Sequence, residues 1–187
     1  MLSVPGEQLL QRYLPRYQFA ERHAALIAAP PAAVLDAVSC LERDADPLVR
    51  FFIRLRELPA RCLGRKLDGQ PAFGMHCFTR LERLGNVELA YGLAGEFWRA
   101  AYGLQPLADA AAFLALEQST LPRLLLHFST EPVGEQTRLH TETRVYCPGK
   151  VSLLKFAPYW YLIRPVSGLI RQRMLRSIRL ALAASPD

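Results

Sequence analysis

Four histidines, His23, His76, His127 and His140, and four cysteines, Cys40, Cys62, Cys77 and Cys147, are the residues of this chain best suited to acid–base, nucleophilic or metal chemistry. The histidines fall on different predicted strands and show neither HxH nor HExxH spacing, so no metal site is expected. No two cysteines are spaced CxxC, and the pattern reads as reduced thiols of a cytoplasmic protein. His76 and Cys77 are adjacent in a predicted strand, where neighbours point to opposite faces, so they cannot form a nucleophile–base pair. The densest polar stretch is HTETR, His140 to Arg144. Its threonines, Thr141 and Thr143, either face a ligand or belong to an ordinary β-branched strand with Glu142 and Arg144 outside; the ordinary reading is preferred. Tyr91 and the pair Trp98-Arg99 offer an apolar wall with a polar anchor, which is what a small-molecule pocket needs.

These residues are positioned by elements whose hydrophobic period changes along the chain. Residues 1–17 form an N-terminal extension without the basic flank and apolar block of a secretory signal. Phe19 to Ala28 reads as a strand, and Pro30-Pro31 starts a short helix with Val34, Leu35, Val38 and Leu41 on one side. Asp46-Pro47 caps a second helix that stops at Pro59. From Phe73 the period is two: Phe73, Met75, Cys77, Thr79 and Leu81, then Val87, Leu89, Tyr91 and Leu93. A three-residue loop, Leu84-Gly85-Asn86 with Asn86 left-handed, puts both sets on one face of a hairpin that continues through Phe97-Trp98 with a bulge at Gly95. Phe113 to Glu117 reads as a short strand. A second hairpin joins Leu121–Pro132 to Thr137–Cys147 by a two-residue turn. That turn sets Leu124, Leu126, Phe128 and Thr130 beside Leu139, Thr141, Thr143 and Val145. It pairs Glu131 with Arg138 and His127 with Glu142 on a face expected to be solvated.

The tail is helical in period, and its charge is distinctive. Thr143 through Pro186 holds eight basic residues and no acidic one, so with +6 overall the rest of the chain carries −2. A local +8 is not a field over the whole domain, and nucleic acid is not the expected partner. At 100° per residue, Val166, Ile170, Met174, Ile178 and Ala181 form an apolar stripe, with Arg171, Arg173, Arg176 and Arg179 assigned to water. Pro158 and Pro165 are expected to divide the helix into two pieces at a kink. No apolar run approaches the roughly 18 residues of a membrane span.

The order is strand, two short helices, antiparallel strands and a long last helix, an α+β chain of one domain over residues 1–187. It resembles the START-like helix-grip superfamily (SRPBCC), which includes polyketide cyclases and birch-pollen-allergen-like proteins. The resemblance rests on AALIAAPPAAVLDAV, the central hairpin, TRLHTETRVYCP and YWYLIRPVSGLIRQRML. It implies a curved antiparallel sheet wrapped around the C-terminal helix, with an apolar cavity between them. The expected ligand contacts are Phe73, Met75, Tyr91, Trp98, Phe128, Thr141, Thr143, Ile170 and Met174. The expected partner is a small hydrophobic or amphipathic molecule, with no cofactor. Two alternatives stay open: a cyclase, dehydratase or hydrolase using His76 or Glu142 as acid or base, and a module whose arginine-rich helix makes transient contact with an anionic membrane surface.

Overall fold

The computed structural model describes residues 6–40, 75–99 and 103–183. The predicted helix from Asp46 to Leu58 and the candidate Phe73 lie outside them. The described elements are α1 (Gln8–Tyr13), β1 (Phe19–Ile27), α2 (Pro31–Cys40), β2 (Thr79–Leu84), β3 (Glu88–Gly95), β4 (Leu104–Gln105), α3 (Ala110–Ala115), β5 (Arg123–Val133), β6 (Gln136–Tyr146) and α4 (Gly149–Ala183). The strands make one six-stranded sheet in the order β1-β6-β5-β3-β2, with β4 on the end of β3. Every pairing is antiparallel. The curved sheet with the long last helix on its inner face is the helix-grip architecture.

The second hairpin has the expected register, with Val133 opposite Gln136, Glu131 opposite Arg138 and His127 opposite Glu142. The first differs. Leu84 pairs with Glu88, so the three-residue loop is Gly85 to Val87, and Gly85 takes the positive φ of 51°. Leu81 is bulged out of the ladder. Met75 to Cys77 is a 3-10 turn rather than strand. The reason is competition for β3: Ala94 and Gly95, which a longer β2 would need, pair with β4. β3 stops at Gly95, whose N–H donates to the Pro122 carbonyl (3.0 Å), and Phe97-Trp98 lie in a turn. Phe113 belongs to a helix, not a strand. Asp109 caps that helix by accepting from the Ala112 N–H (2.8 Å), and the alanines behind the cap outweigh the β preference of one phenylalanine.

The last helix is one element of 35 residues with both prolines inside it, correcting the expected division. Each proline leaves the carbonyl four residues earlier without a donor. Those carbonyls belong to Leu154 and Tyr161, which are 73% and 65% exposed, so water can serve them.

The largest departure is on the outer face of β3, of β5 from Arg123 to Ser129 and of β6 at Glu142 and Arg144, which is covered rather than solvated. Glu131, Arg138 and His140 at the hairpin end are in water as expected. The N-terminal extension lays Leu9, Leu10, Tyr13 and Leu14 on Leu81, Ala90, Leu125 and Phe113. Around this cluster runs a buried polar network. Glu88 accepts from the Gln8 and Leu9 N–H groups (3.0 and 2.9 Å) at the start of α1 and meets His127 Nε2 at 3.0 Å. Arg144 donates to Glu142 (2.6 Å) and to the Leu14 carbonyl (3.3 Å), and stacks on Tyr17. Arg123 lies between the rings of Phe113 and Tyr146. Polar residues on one strand face thus mark a dry, hydrogen-bonded layer here. His127 and Glu142 pair as opposites but sit under a helical strap.

Candidate functional site

Strand alternation puts Phe19, Glu21, His23, Ala25 and Ile27 of β1 on the inner face, opposite Val145, Thr143, Thr141, Leu139 and Thr137 of β6. Across β5 and β3 the rows continue. Glu21 and Thr143 lead to Leu126 and Tyr91, while His23 and Thr141 lead to Phe128 and Leu89. Each row is polar at the β1–β6 end and apolar at the β5–β3 end. On one side lies an aromatic cluster of Phe19, Phe97, Phe156 and Trp160; on the other lies a core of Ile27, Val34, Leu35, Leu139, Leu175 and Ile178.

Over the polar end sits Arg171 of α4. It donates from Nη1 to Thr141 Oγ1 (3.1 Å) and from Nη2 to Thr143 Oγ1 (2.6 Å). Arg171 is half-buried, and the desolvation of its guanidinium pulls its pKa down to about 10, partly offset by the Glu21 carboxylate. The expectation that this arginine is solvated is therefore wrong. Seven residues make a rotation of about 700°, which sets Arg171 within about 20° of Ile178, at the centre of the buried side. The observed stripe is Arg171, Met174, Leu175, Ile178 and Leu182, and Ala181 is exposed.

Glu21 is 9% exposed and uses one carboxylate oxygen to accept from His23 Nε2 (2.9 Å). Its other oxygen, Oε2, is buried and has no hydrogen-bond partner among the described residues. Gly168 of α4 allows this approach, because a Cβ there would lie 3.1 Å from Glu21 Oε1. The cluster therefore offers an unfilled acceptor, an imidazole and a guanidinium within a wall of Tyr91, Leu126 and Phe128. Tyr91 and Phe128 pack edge to face at 6.2 Å.

The expected site residues divide. Tyr91, Phe128, Thr141 and Thr143 share the inner face described above, and Met174 packs on the adjoining core from α4. Met75 is half-buried against the same core from its 3-10 turn, and Ile170 is half-buried on α4. Trp98 belongs to the aromatic cluster, 6.4 Å from Phe156. His76 is exposed on the turn, and Glu142 is on the outer face bound to Arg22 and Arg144. Cys77 is only half-buried, while burial pushes the Cys147 thiol up to about 12 and keeps it protonated. Glu21, His23, Gly168 and Arg171 are the residues the sequence reading missed. A signal exists for the first two: they share strand parity with Phe19 and Ile27, and a polar pair on an otherwise apolar face is anomalous.

No family model matches the chain, and no curated protein does. Similar solved structures include the crystal structure of Ara h 8.0201, with a TM-score of 0.45 and 10% identity over 89% of this chain and 99% of that one. Another is the Mll3558 protein from Rhizobium loti, with a TM-score of 0.35 and 13% identity over 89% of this chain and 95% of that one. A third is TTHA0849 from Thermus thermophilus, with a TM-score of 0.32 and 12% identity over 89% of this chain and 100% of that one.

Proposed function

We propose that this chain, acting as one domain, binds an amphipathic small molecule between α4 and the inner sheet face. The polar group of the ligand meets Glu21, His23 and Arg171, and its apolar body runs toward Tyr91, Phe128 and Met174. The observation that carries this reading is the buried Glu21 oxygen with no donor among the described residues, near the Arg171 guanidinium. A buried unpaired polar atom costs about 1–3 kcal/mol, and a face that only had to fill a core would hold aliphatic residues there. A ligand hydroxyl or amine donating to Glu21 Oε2 removes that cost. Native mass spectrometry of the full chain purified under gentle conditions tests it. The expected spectrum shows a bound small molecule that disappears in Arg171→Met. A bare mass for the wild type, together with no thermal shift from a panel of hydroxylated amphiphiles, overturns the reading.

One observation favours a catalytic version of the same site. With Glu21 holding His23 Nε2 at 2.9 Å, the other ring nitrogen is left to act as base, and Arg171 can stabilise a developing oxyanion. This supports a cyclase, dehydratase or hydrolase reaction at His23 rather than at His76 or Glu142. Conversion of the co-purified molecule by wild type, lost in His23→Gln while binding persists, distinguishes catalysis from binding.

A further inference from the structure

The side of α4 turned away from the sheet carries a second apolar stripe that is exposed to solvent. Val151, Leu154, Tyr161, Leu162 and Leu169 are 66%, 73%, 65%, 77% and 43% exposed. At 100° per residue they fall in one arc of about 100°, and Pro158 and Pro165, both exposed, lie within it. The stripe extends about 27 Å along the helix. A continuation of the same arc to the C-terminal side is basic, with Arg173, Arg176 and Arg179 exposed beside Leu180. Lys150 and Lys155 flank the apolar half, and no acidic residue occurs from Thr143 to Pro186. Solvent-facing aliphatic residues in this density mark an interaction surface.

We propose that this face of α4 docks on an anionic lipid bilayer, with Leu154, Tyr161 and Leu162 entering the headgroup boundary and the basic residues engaging phosphates. Charge selects this occupant. A two-fold pair of these helices side by side sets arginines against arginines when parallel, and when antiparallel it joins the apolar halves only by leaving both basic halves outside the contact. Nucleic acid leaves the apolar half in water. An anionic bilayer satisfies both halves at once, because its surface is negative and its interior apolar. No described helix is long and apolar enough to cross a membrane, so the contact is with the surface.

The test is co-sedimentation of the full chain with phosphatidylcholine vesicles, with and without about one third phosphatidylglycerol, at about 0.1 and 0.5 M salt. The wild type is expected to pellet with the anionic vesicles, less at high salt. The variant L154S/Y161S/L162S is expected to lose on the order of a hundredfold in partitioning while melting like wild type, since the three side chains are exposed. Replacing Lys155, Arg176 and Arg179 together by Gln is expected to remove the preference for anionic vesicles. The proposal is overturned if the wild type stays in the supernatant at low salt, or if the apolar triple variant pellets unchanged. It is overturned equally if ultracentrifugation shows a dimer that the apolar triple variant dissociates, or if duplex DNA binds and that variant retains the binding.

Discussion

Replacing Arg171 by Met separates what this side chain does for the fold from what it does for the site. The guanidinium is desolvated, and a fall of its pKa from 12.5 to about 10 corresponds to roughly 3 kcal/mol disfavouring the charged form. For a base whose folded-state pKa is depressed, the charged form opposes folding at neutral pH, and the penalty lifts only as pH rises through about 10. Against it stand two charge-assisted hydrogen bonds to Thr141 and Thr143, the attraction of Glu21 being already contained in that net shift. Met keeps the length, adds no charge and leaves Glu21 its contact with His23. Urea unfolding of Arg171→Met should therefore give a stability within about 1 kcal/mol of wild type. Glu21→Gln combined with Arg171→Met should be more stable than wild type by about 1–4 kcal/mol, because a buried pair of charges is exchanged for neutral groups. At about 2–4 °C per kcal/mol for a chain of this size, the gain is visible in a thermal melt. Both variants should lose the bound molecule in native mass spectrometry. A loss of about 3 kcal/mol or more in the double variant refutes the reasoning, since the cluster would then be a structural keystone.

On the outer face, Glu88→Ala should cost about 3 kcal/mol, by stranding His127 and the first amides of α1; urea unfolding measures it. Burial raises the Glu88 pKa, but the hydrogen bonds from His127, Leu9 and Gln8 outweigh it and leave it below the usual 4.5. That stability is present above pH 4.5 and is lost as the pH falls below it, so the loss on acidification should be shallower in Glu88→Ala. Gly92→Ala should cost about 1–3 kcal/mol in a melt, because its Cβ would lie 2.6 Å from the Phe113 ring. Deleting residues 1–17 removes four buried side chains worth roughly 1.5–3 kcal/mol each. The shortened chain should bind a hydrophobic dye and aggregate in light scattering, and a soluble, cooperatively melting product would contradict the strap.

Period and turn chemistry carried the architecture because they are local. The Pro30-Pro31 start of α2, the register from Val133-Gln136 and the alternation of β6 depend on neighbours within a few residues, and all appear as expected. What depended on competition between distant segments was not legible. β2 is shortened because β4 takes its place on β3. Phe113 is a different case, since the Asp109 cap that turns it helical is local and stood in the sequence. Thr141 and Thr143 were legible as inner-face residues, whereas Arg171 was hidden by treating positive charge as a mark of exposure. The angle to Ile178 was available in the sequence; the chemical bias concealed it.

The two faces of the sheet resolve a tension in that bias. Both carry charged residues, and each keeps a buried atom with no hydrogen-bond partner among the described residues: Arg123 Nε outside, between the rings of Phe113 and Tyr146, and Glu21 Oε2 inside. It is the carboxylates whose accounting differs. Outside, the oxygens of Glu88 and Glu142 are matched by backbone amides, His127, Arg22 and Arg144, so the network fastens α1 and supports the fold. Inside, Arg171 is held by two neutral hydroxyls and Glu21 keeps an oxygen unmatched. A satisfied network specifies structure, while an unsatisfied one lowers stability unless something else completes it. In the proposed function, the polar group of the ligand is what completes the inner cluster. It sits where α4 closes on the sheet, with Gly168 giving the clearance, and the outer strap supplies the stability that lets the inner face remain incomplete.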